Sequence, residues 1–405
     1  MLILLGLGIS IYLILALFIF IGVSKSNIPA SNTPLVAVSV VVAARNEEQH
    51  IAACLESLLQ QTYSPERLEI IIVDDRSQDA TAEIVQSYST SHPNLRLIKI
   101  DGSTSSGKAV DSQPDTQILL APEQTNSKRL EYDQPHPTQN LPRLPAKKYA
   151  LTRGILSSKG EIIFITDADC VVPPGWVKEM LRYFDSQTGM VVGPLALRSS
   201  KPNLLQTLIE IENYFKSMLA KAGIDNHFPL TAQGGSLAFR RDIFHALDGF
   251  ASIPHSISGD DDLWLHQVHS KTFWRIRFGT SPKARVITPP PDSWRQLWRQ
   301  HLRHFSASRY YPWQAKLFYL GWHFSNLLLF LLPLITLLWF PNFFLWALLA
   351  LGLKLGVDAT LFWRGSQVLN FQFKSKYFMP FEVFYLFDNI IIGTLAHLVK
   401  ISWKG

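Results

Sequence analysis

Two aspartates one residue apart give this chain the means to bind a metal ion. Asp167 and Asp169 follow the apolar run from Ile162 to Ile165, whose β-branched and aromatic side chains are typical of a strand buried on both faces. Two carboxylates at the tip of such a strand are costly unless a cation neutralises them. Mg²⁺ and Mn²⁺ prefer hard oxygen ligands and substrate phosphates, so we expect one of these ions here. The alternative is an Asp-rich turn that only ends the strand.

The segments that precede this acidic pair predict an α/β fold. Strand-like apolar runs occupy residues 35–43, 68–73 and 95–100, and residues 47–61 place apolar side chains at helical spacing. This alternation predicts a mostly parallel sheet with right-handed crossovers. Open sheets of this kind bind ligands beyond the carboxyl ends of their strands, which is where the acidic pair would lie.

The segment at residues 101–145 interrupts the alternation. It is rich in Ser, Gln, Pro, Asp and Thr, lacks periodicity, and is long for a loop inside a compact domain. We expect a mobile surface insertion whose replacement by a short Gly/Ser linker would leave folding intact. Its Ser106-Gly107-Lys108 lacks the rest of a phosphate-binding loop pattern, which argues against a nucleotide site of that type.

Four apolar stretches are long enough to cross a bilayer, which takes about 20 helical residues. They cover residues 2–23, 317–340, 343–363 and 379–399 of the 405-residue chain. The first has no basic start and no small-residue cleavage site, which predicts an uncleaved N-terminal anchor. The last carries Glu382, Asp388 and His397 and is the weakest of the four.

The net charge of +6 comes with basic residues clustered after residue 270, close to these apolar stretches. Anionic lipid explains such a cluster better than nucleic acid does. Residues 291–313 interleave arginines with Trp, Phe and Tyr. This mixture is typical of amphipathic helices at a membrane interface, with aromatic rings at headgroup depth.

Several short motifs occur in an order that resembles the family 2 glycosyltransferases. They are Val42-Ala-Ala-Arg-Asn-Glu-Glu48, Val73-Asp-Asp-Arg-Ser-Gln-Asp-Ala-Thr81, Lys147-Lys-Tyr-Ala-Leu151, Asp167-Ala-Asp169, Gln233-Gly-Gly-Ser236, Gly259-Asp-Asp-Asp262 and Gln300-His-Leu-Arg303-His304. The resemblance implies a GT-A nucleotide-diphospho-sugar transferase fold over residues 36–290. The apolar stretches are similar to those of membrane-bound ceramide glucosyltransferases and polysaccharide synthases of this family.

The resemblance also implies which residues bind the donor. Asp169, together with Asp167, would ligate Mg²⁺ or Mn²⁺ on the diphosphate of a nucleotide-diphospho-sugar. Asp74 or Asp75 would hydrogen-bond the base or ribose, against the alternative of a structural Asp turn that caps the next helix. The other donor contacts it implies are Ala44, Arg45, Glu47, and Lys147 or Lys148.

The triple aspartate would supply a general base that removes the proton of an acceptor hydroxyl. When the later apolar residues Leu263 and Leu265 are aligned with the family, Asp260 falls at the position of the base. When the first two acids are aligned directly, Asp261 does. We expect Asp260 to be the base, with Asp261 as the alternative. For these two and Asp262 the alternative is an acidic helix N-terminus. The diphosphate or the acceptor would be held by Gln233, Gly234, Gly235, Ser236, Gln300 and Arg303. The alternative for Gln300 and Arg303 is an interfacial helix with snorkelling side chains.

These assignments predict a membrane-bound inverting glycosyltransferase. One base and no candidate nucleophile on the opposite sugar face imply a single displacement. The family's processive synthases carry a Trp where this chain has His304, so we expect a lipid or other amphiphilic acceptor rather than a growing polymer. A processive polysaccharide synthase and an inactive membrane scaffold are the two alternatives.

The sequence also predicts an orientation. Two cysteines provide no disulfide framework and suit a reducing compartment, so we expect the catalytic domain in the cytoplasm, at a bacterial inner membrane. The basic loop at residues 364–376 then lies inside, as the positive-inside rule prefers. If the last apolar stretch spans, Lys400 and Lys404 fall outside, and this conflict is removed if that stretch is partly re-entrant.

Overall fold

The computed structural model describes residues 1–26, 32–33, 35–100, 144–199, 202–396 and 398. The predicted insertion at 101–145 falls, except for its last two residues, on the segment 101–143, which lies outside the described residues.

The described residues form nine strands and twelve α-helices. The strands are β1 (Val38–Ala44), β2 (Leu68–Asp74), β3 (Leu95–Lys99), β4 (Ile162–Ile165), β5 (Thr188–Val192), β6 (Leu195–Leu197), β7 (Leu237–Arg240), β8 (Arg275–Phe278) and β9 (Val286–Thr288). The helices are α1 (Leu2–Ser24), α2 (Ile51–Leu59), α3 (Thr81–Ser91), α4 (Ala146–Leu156), α5 (Trp176–Leu181), α6 (Leu204–Asp225), α7 (Arg241–Ala246), α8 (Asp262–Lys271), α9 (Trp294–Ser306), α10 (Trp313–Trp339), α11 (Phe344–Leu369) and α12 (Phe378–Ala396).

A seven-stranded sheet in the order β3-β2-β1-β4-β7-β5-β8 forms the centre of the α/β domain. All neighbouring strands are parallel except β7, which is antiparallel to both β4 and β5. The strand order reverses at β1, which has β2 on one side and β4 on the other. In open α/β sheets, a ligand-binding crevice forms beyond the carboxyl ends of the strands at the point where the strand order reverses. The prediction of a mostly parallel α/β sheet is therefore confirmed.

The sheet is buried on both faces by helices. One apolar layer joins one face of the sheet to α2 and α5, and the other joins the opposite face to α4, α6 and α8. Continuous β-branched strands such as β1 and β2 fit this arrangement, because neither face meets water. The second layer continues without a break into α1 and α10, so the α/β domain and the apolar helices share one core.

The first helix after β1 begins later than the sequence pattern predicts. Periodicity places its start at Glu47, whereas α2 starts at Ile51. The reason is a set of bonds between two loops: the backbone N–H of Glu47 donates to Thr81 Oγ1 at 2.8 Å, and that of Glu48 donates to Asp79 Oδ2 at 3.1 Å. These bonds hold the ends of β1 and β2 side by side and keep residues 47 and 48 out of the helix.

Four helices are long and apolar enough to cross a membrane. They are α1, α10, α11 with the short turn before it, and α12 with the turn before it. These helices match the four apolar stretches predicted from sequence. The two acidic residues that weakened the last stretch are buried and paired: Glu382 with Lys354 of α11, and Asp388 with His301 of α9.

The N-terminal helix is joined to the α/β domain through α6. Lys221 Nζ is buried and donates to the carbonyl of Lys25 at 2.8 Å, while Asn226 Nδ2 donates to the carbonyl of Phe18 at 2.7 Å. At the crossing point Gly22 leaves room for Ala222, because a Cβ on Gly22 would lie 2.4 Å from the Ala222 carbonyl oxygen.

Replacing Gly22 with Ala should therefore separate α1 from α6. We expect Gly22→Ala to lower the free energy of unfolding by about 1–3 kcal/mol, the usual cost of overpacking. Gly6→Ala is the matched control in the same helix, because a Cβ on Gly6 meets nothing within 4 Å. Thermal unfolding of both variants in detergent measures the difference, and equal midpoints would show that the close crossing is not needed.

Candidate active site

The acidic pair lies where sequence analysis placed it, directly after β4. Asp167 and Asp169 are partly exposed and Cys170 is buried. One ligand atom from each of the three residues lies within 4.8 Å of the others. Burial raises the pKa of the Cys170 thiol well above its ordinary value, so the thiol stays protonated and the carboxylates are the available ligands. Two carboxylate donors facing a cavity fit Mg²⁺ or Mn²⁺.

A lysine connects this pair to the triple aspartate. Lys147 Nζ, on α4, lies 2.8 Å from Asp167 Oδ1 and 2.7 Å from Asp260 Oδ2. Its neighbour Lys148 points the other way and donates to the carbonyls of Ile253 and Ser256. Sequence analysis left open which lysine would meet the diphosphate. The structure places Lys147 in the cavity and makes Lys148 a buried support for the loop before the triple aspartate.

The three aspartates at the start of α8 have different surroundings. Asp262 Oδ1 accepts from Thr231 Oγ1 and from the backbone N–H of Ala232, and its Oδ2 accepts from the Tyr311 hydroxyl. Asp261 Oδ1 accepts the backbone N–H of Asp262 at 2.8 Å and caps the helix. Its other oxygen faces Gly234, where a Cβ would approach it to 3.2 Å.

These surroundings shift the pKa values of Asp260 and Asp261 in opposite directions. Burial opposes ionisation of Asp260, but the ion pair and hydrogen bond with Lys147 outweigh it and hold the pKa of Asp260 below its ordinary value. Burial, followed by the charges of Asp262 and Asp260, raises the pKa of Asp261 well above its ordinary value. Of the two candidates for the base, Asp261 therefore holds a proton more readily, and one of its oxygens faces the glycine loop.

The turn before the triple aspartate requires glycine. Gly259 has φ +87°, and a Cβ there would lie 2.6 Å from Leu263 Cγ. A side chain at this position would meet both an unfavourable backbone region and a clash. Gly259 thereby lets α8 begin with all three carboxyls directed toward the cavity.

The loop at residues 233–236 lies between the two acidic groups. Thr166 Oγ1, just before the metal pair, donates to the Gly235 carbonyl at 2.8 Å. Gln233 is fixed from α6, since its Nε2 donates to Asn213 Oδ1 at 2.7 Å. Ser236 is fully buried, and its hydroxyl accepts from Trp176 Nε1. Gly234 and Gly235 thus form cavity wall, whereas Ser236 supports the wall from behind.

The two acids at the end of β2 are buried beneath the cavity. Asp75 accepts from Arg76 Nε at 2.8 Å, and its second oxygen lies 3.9 Å from an Arg45 nitrogen. Asp74 is also buried, at 5% exposure. Arg45 and Glu47 line the cavity beside them. The link through Arg45 connects this acidic end of β2 to the metal end of the cavity.

The last motif lies on α9 and faces the same cavity. Gln300, Arg303 and His304 all line it. Burial and the nearby cations, first Arg303 and then Lys216, hold the pKa of His304 well below its ordinary value, so the ring is neutral. A neutral imidazole therefore faces the cavity at the last position of this motif.

One cavity of about 1380 Å³ brings most of the predicted residues together. Those that line it are Arg45, Glu47, Lys147, Asp167, Asp169, Gln233, Gly234, Gly235, Asp260, Asp261, Asp262, Gln300 and Arg303. Those that lie behind its wall are Ala44, Asp74, Asp75, Lys148 and Ser236. The cavity continues from the acidic pair past α9 to apolar residues of α10 and α12, including Phe324, Leu327 and Ile390.

Sequence analysis missed a second cluster at this cavity. Glu212 of α6, His301 of α9 and Asp388 of α12 place ligand-type atoms within 4.8 Å of one another, and all three residues are buried. The histidines of the chain show no metal-ligand spacing, so the sequence predicts only packing or interface roles for them. The available signal was Asp388, one of two acidic residues inside the largely apolar segment at residues 378–396.

Comparison with known proteins identifies related sequences and a related fold. The family model described as "Glycosyltransferase like family 2" matches residues 34–307. "Probable glycosyltransferase YdaM" of Bacillus subtilis is 26% identical over 281 residues, which are 67% of this chain and 55% of YdaM. The chain therefore spans about half the length of that relative.

Two further comparisons concern a lipid enzyme and a solved structure. "Beta-monoglucosyldiacylglycerol synthase" of Synechocystis sp. is 26% identical over 174 residues, 43% of this chain and 28% of that protein. The mannosyltransferase PcManGT from Pyrobaculum calidifontis, solved in complex with GDP-Man and Mn²⁺, matches 98% of this chain and 99% of its own with a TM-score of 0.54 at 17% identity. At that identity the structural likeness shows a shared fold, and it confirms the GT-A prediction.

The geometry of the acidic pair generates a direct test. Asp169→Asn should abolish sugar transfer and weaken divalent-metal binding without unfolding the domain, because a neutral amide is a weaker ligand and the residue is not part of the core. Titration of the purified variant with Mn²⁺, beside an assay with labelled donors, measures both effects. Asp242→Asn, an exposed carboxylate on α7, is the control. A near-normal rate for Asp169→Asn would remove this residue from the site.

Proposed function

Because the chain belongs to glycosyltransferase family 2 and is an enzyme of that family, we propose that it transfers a single sugar from a nucleotide-diphospho-sugar to a lipid acceptor at the membrane surface. The observation that carries this proposal is the continuity of the cavity. Its upper end is lined by Arg45, Asp167 and Asp169, and its lower end by α10 and α12. A substrate that reaches both ends must have a polar head and an apolar body.

The upper end suits the donor. Asp167 and Asp169 would hold Mg²⁺ or Mn²⁺, which neutralises charge on the diphosphate as the leaving group departs. Arg45 lies between this pair and Asp75, the position expected for the nucleotide. The neighbouring fold solved with GDP-Man and Mn²⁺ supports a nucleotide sugar and a divalent metal at this end.

The centre of the cavity suits general-base catalysis by Asp261. The acceptor hydroxyl oxygen attacks the anomeric carbon, the bond from that carbon to the diphosphate breaks, and the hydroxyl proton passes to the Asp261 carboxylate. Attack from the face opposite the leaving group inverts the anomeric centre. Arg303 and Gln300 line the cavity near these groups, where they would neutralise the departing diphosphate or orient the acceptor.

The lower end suits a hydrocarbon chain. Leu320, Phe324 and Leu327 of α10 face Ile390 and Gly393 of α12 across the cavity. Leu320 and Phe324 are 66% and 48% exposed, so the groove opens sideways toward surrounding lipid. One relative carries the name of a diacylglycerol-modifying synthase, which supports a lipid acceptor.

The orientation we propose places the catalytic domain in the cytoplasm. Lys25, Arg364 and Lys374 lie at the ends of α1 and α11 nearest the domain, where Lys374 pairs with Glu210 and Arg364 donates to Ser24. Basic residues at one end of membrane helices favour the cytoplasmic side.

The last apolar helix runs beside α9 rather than away from it. Trp294 packs against Phe384 with ring centroids 6.0 Å apart, His301 contacts Asp388, and Arg309 donates to the Ala396 carbonyl at 2.8 Å. These contacts support a re-entrant α12, which would leave the basic tail on the cytoplasmic side and remove the conflict in the predicted topology.

Replacing the base should stop chemistry without unfolding the enzyme. We expect Asp261→Asn to lower kcat by about 10²–10⁴-fold, the usual contribution of a general base. Burial and two neighbouring carboxylates raise the pKa of Asp261. As the pH is lowered, the wild-type rate should therefore begin to fall at a pH higher than the ordinary pKa of an aspartic acid, which is about 4. Below that raised pKa the carboxyl is protonated and cannot accept the hydroxyl proton.

Asp262→Asn is the matched comparison, since Asp262 accepts three hydrogen bonds that hold α8 in place. This variant should lose thermal stability and keep an acidic limb, which moves to lower pH because the charge of Asp262 is one of the causes of the raised pKa of Asp261. An Asp261→Asn enzyme with near-normal kcat, beside an inactive Asp260→Asn, would transfer the role of base to Asp260.

Filling the groove should block only a long-chain acceptor. Gly393 lines the groove and a Cβ built on it meets nothing within 4 Å, so the side chain of Gly393→Trp would extend into the groove. We expect transfer to an extracted membrane lipid to fall by about tenfold or more, because excluded methylenes are worth about 0.8 kcal/mol each. Transfer to a short-chain analogue and hydrolysis of donor by water should stay near wild type.

Gly352→Trp is the control: Gly352 is equally open, but it lies on α11 outside the cavity lining. The same donor panel is also incubated with soluble oligosaccharides. If the labelled sugar appears in a polysaccharide chain that lengthens with time, and no labelled lipid is extracted into the organic phase, the processive alternative is supported. No turnover and no donor hydrolysis by the wild type would support the inactive scaffold.

A further inference from the structure

We propose that His301 is a positioning residue that fixes the acceptor half of the site through its contacts with Glu212 and Asp388. We refer to these three residues as the buried triad. The inference rests on the proposed transfer to an acceptor in this cavity. It goes beyond that proposal because it assigns a role to three residues that are not among the donor, base or acceptor residues named above, although Glu212 and His301 line the same cavity.

The buried triad joins three different helices at one point. His301 Nδ1 lies 2.8 Å from Asp388 Oδ2, and His301 Nε2 lies 3.5 Å from Glu212 Oε2. Exposure is 3% for His301, 1% for Glu212 and 5% for Asp388. The imidazole is therefore held between two buried carboxylates that belong to α6 and α12.

The two contacts of the ring differ in kind. His301 Nδ1 is within hydrogen-bond distance of Asp388 Oδ2, whereas His301 Nε2 lies 3.5 Å from the Glu212 carboxylate without a hydrogen bond to it. A second basic group lies beside Glu212, because Lys216 Nζ is 2.9 Å from Glu212 Oε1. Basic neighbours offset the cost of burying two carboxylates in one place.

The triad holds together three walls of the acceptor half. On α9, His301 lies between Gln300 and Arg303 in sequence, and both of these line the cavity. On α12, Asp388 directly precedes Asn389 and Ile390, which line the entrance to the groove.

The third wall is reached through α6. Glu212 directly precedes Asn213, whose Oδ1 accepts from Gln233 of the glycine loop at 2.7 Å. That loop approaches Asp261 at Gly234. A displacement of the imidazole would therefore move the arginine, the groove and the loop beside the base relative to one another.

The donor half has separate supports, and this difference makes the proposal testable. Asp167 and Asp169 directly follow β4, and Asp167 pairs with Lys147, while Arg45 follows β1 and lies near Asp75. Loss of the triad should thus change how the acceptor binds and reacts while donor binding is retained.

The experiment uses the full-length enzyme in detergent with His301→Gln, Asp388→Asn and the double variant. We expect the acceptor KM to rise about tenfold or more in each single variant, with donor KM and donor hydrolysis by water within about twofold of wild type. The double variant should be no worse than the more severe single variant, because both changes remove the same contact. Asp388→Asn keeps the side-chain volume and serves as the principal test if His301→Gln does not fold.

Glu382→Gln provides the matched control. Glu382 is 4% exposed, lies on the same helix as Asp388, and pairs with Lys354 outside the cavity lining. It should lower the thermal midpoint and leave the acceptor KM unchanged. If His301→Gln behaves in the same way, the triad only stabilises the fold and the proposal is wrong. Multiplying effects in the double variant would also overturn it.

A bound metal ion is the remaining outcome to separate. Metal analysis of the purified enzyme would overturn the proposal if His301→Gln loses one divalent ion that Asp169→Asn retains, because the triad would then be a second metal site. The acceptor class is tested independently: the wild type either labels lipid or does not. If it labels another acceptor, the same variants are compared with that acceptor, so failure of the lipid proposal and failure of the positioning role give different results.

Discussion

The contact on which the site depends is the bridge made by Lys147 between Asp167 and Asp260. These carboxylates belong to distant parts of the chain, one at the end of β4 and the other before α8. Without a cation between them they would repel each other in a largely buried place. Burial disfavours the charge on Lys147, but the two carboxylates outweigh burial and raise the pKa of Lys147 above its ordinary value. The Lys147 ammonium therefore fixes Asp167 relative to Asp260, the first residue of the triple aspartate.

The sheet explains why these groups can meet. The strand order reverses at β1, so the loops after β1 and β4 diverge and leave a crevice between them. Arg45 enters from one side and Asp167 from the other, while the antiparallel β7 returns beside β4 with the glycine loop at its start. Arg45, Asp167 and the glycine loop lie on turns, but each of these turns is attached to a buried strand, which limits their relative movement.

The sequence predicted the features that depend on local pattern. Strand periodicity, the apolar helices and the acidic pair at the end of β4 were all found where expected. Neither the choice between Lys147 and Lys148 nor that between Asp260 and Asp261 could be predicted, because neighbouring residues of one type differ only in what surrounds them. The buried triad was missed for a related reason: His301 and Asp388 are 87 residues apart, and nothing in the sequence near either one marks the contact.

A groove that opens toward lipid also changes the energetics of acceptor binding. Moving a chain of ten methylenes from the bilayer into water would cost about 8 kcal/mol, and a water-filled route to the base would impose that cost before any chemistry. Between α10 and α12 the chain would exchange lipid for Phe324, Leu327 and Ile390, so the apolar body stays in apolar surroundings. Only the head has to enter polar surroundings, where Arg303 and the carboxylates replace its hydration. The same continuity that joins the α/β domain and the apolar helices in one core would thus let the proposed lipid acceptor react without leaving the membrane.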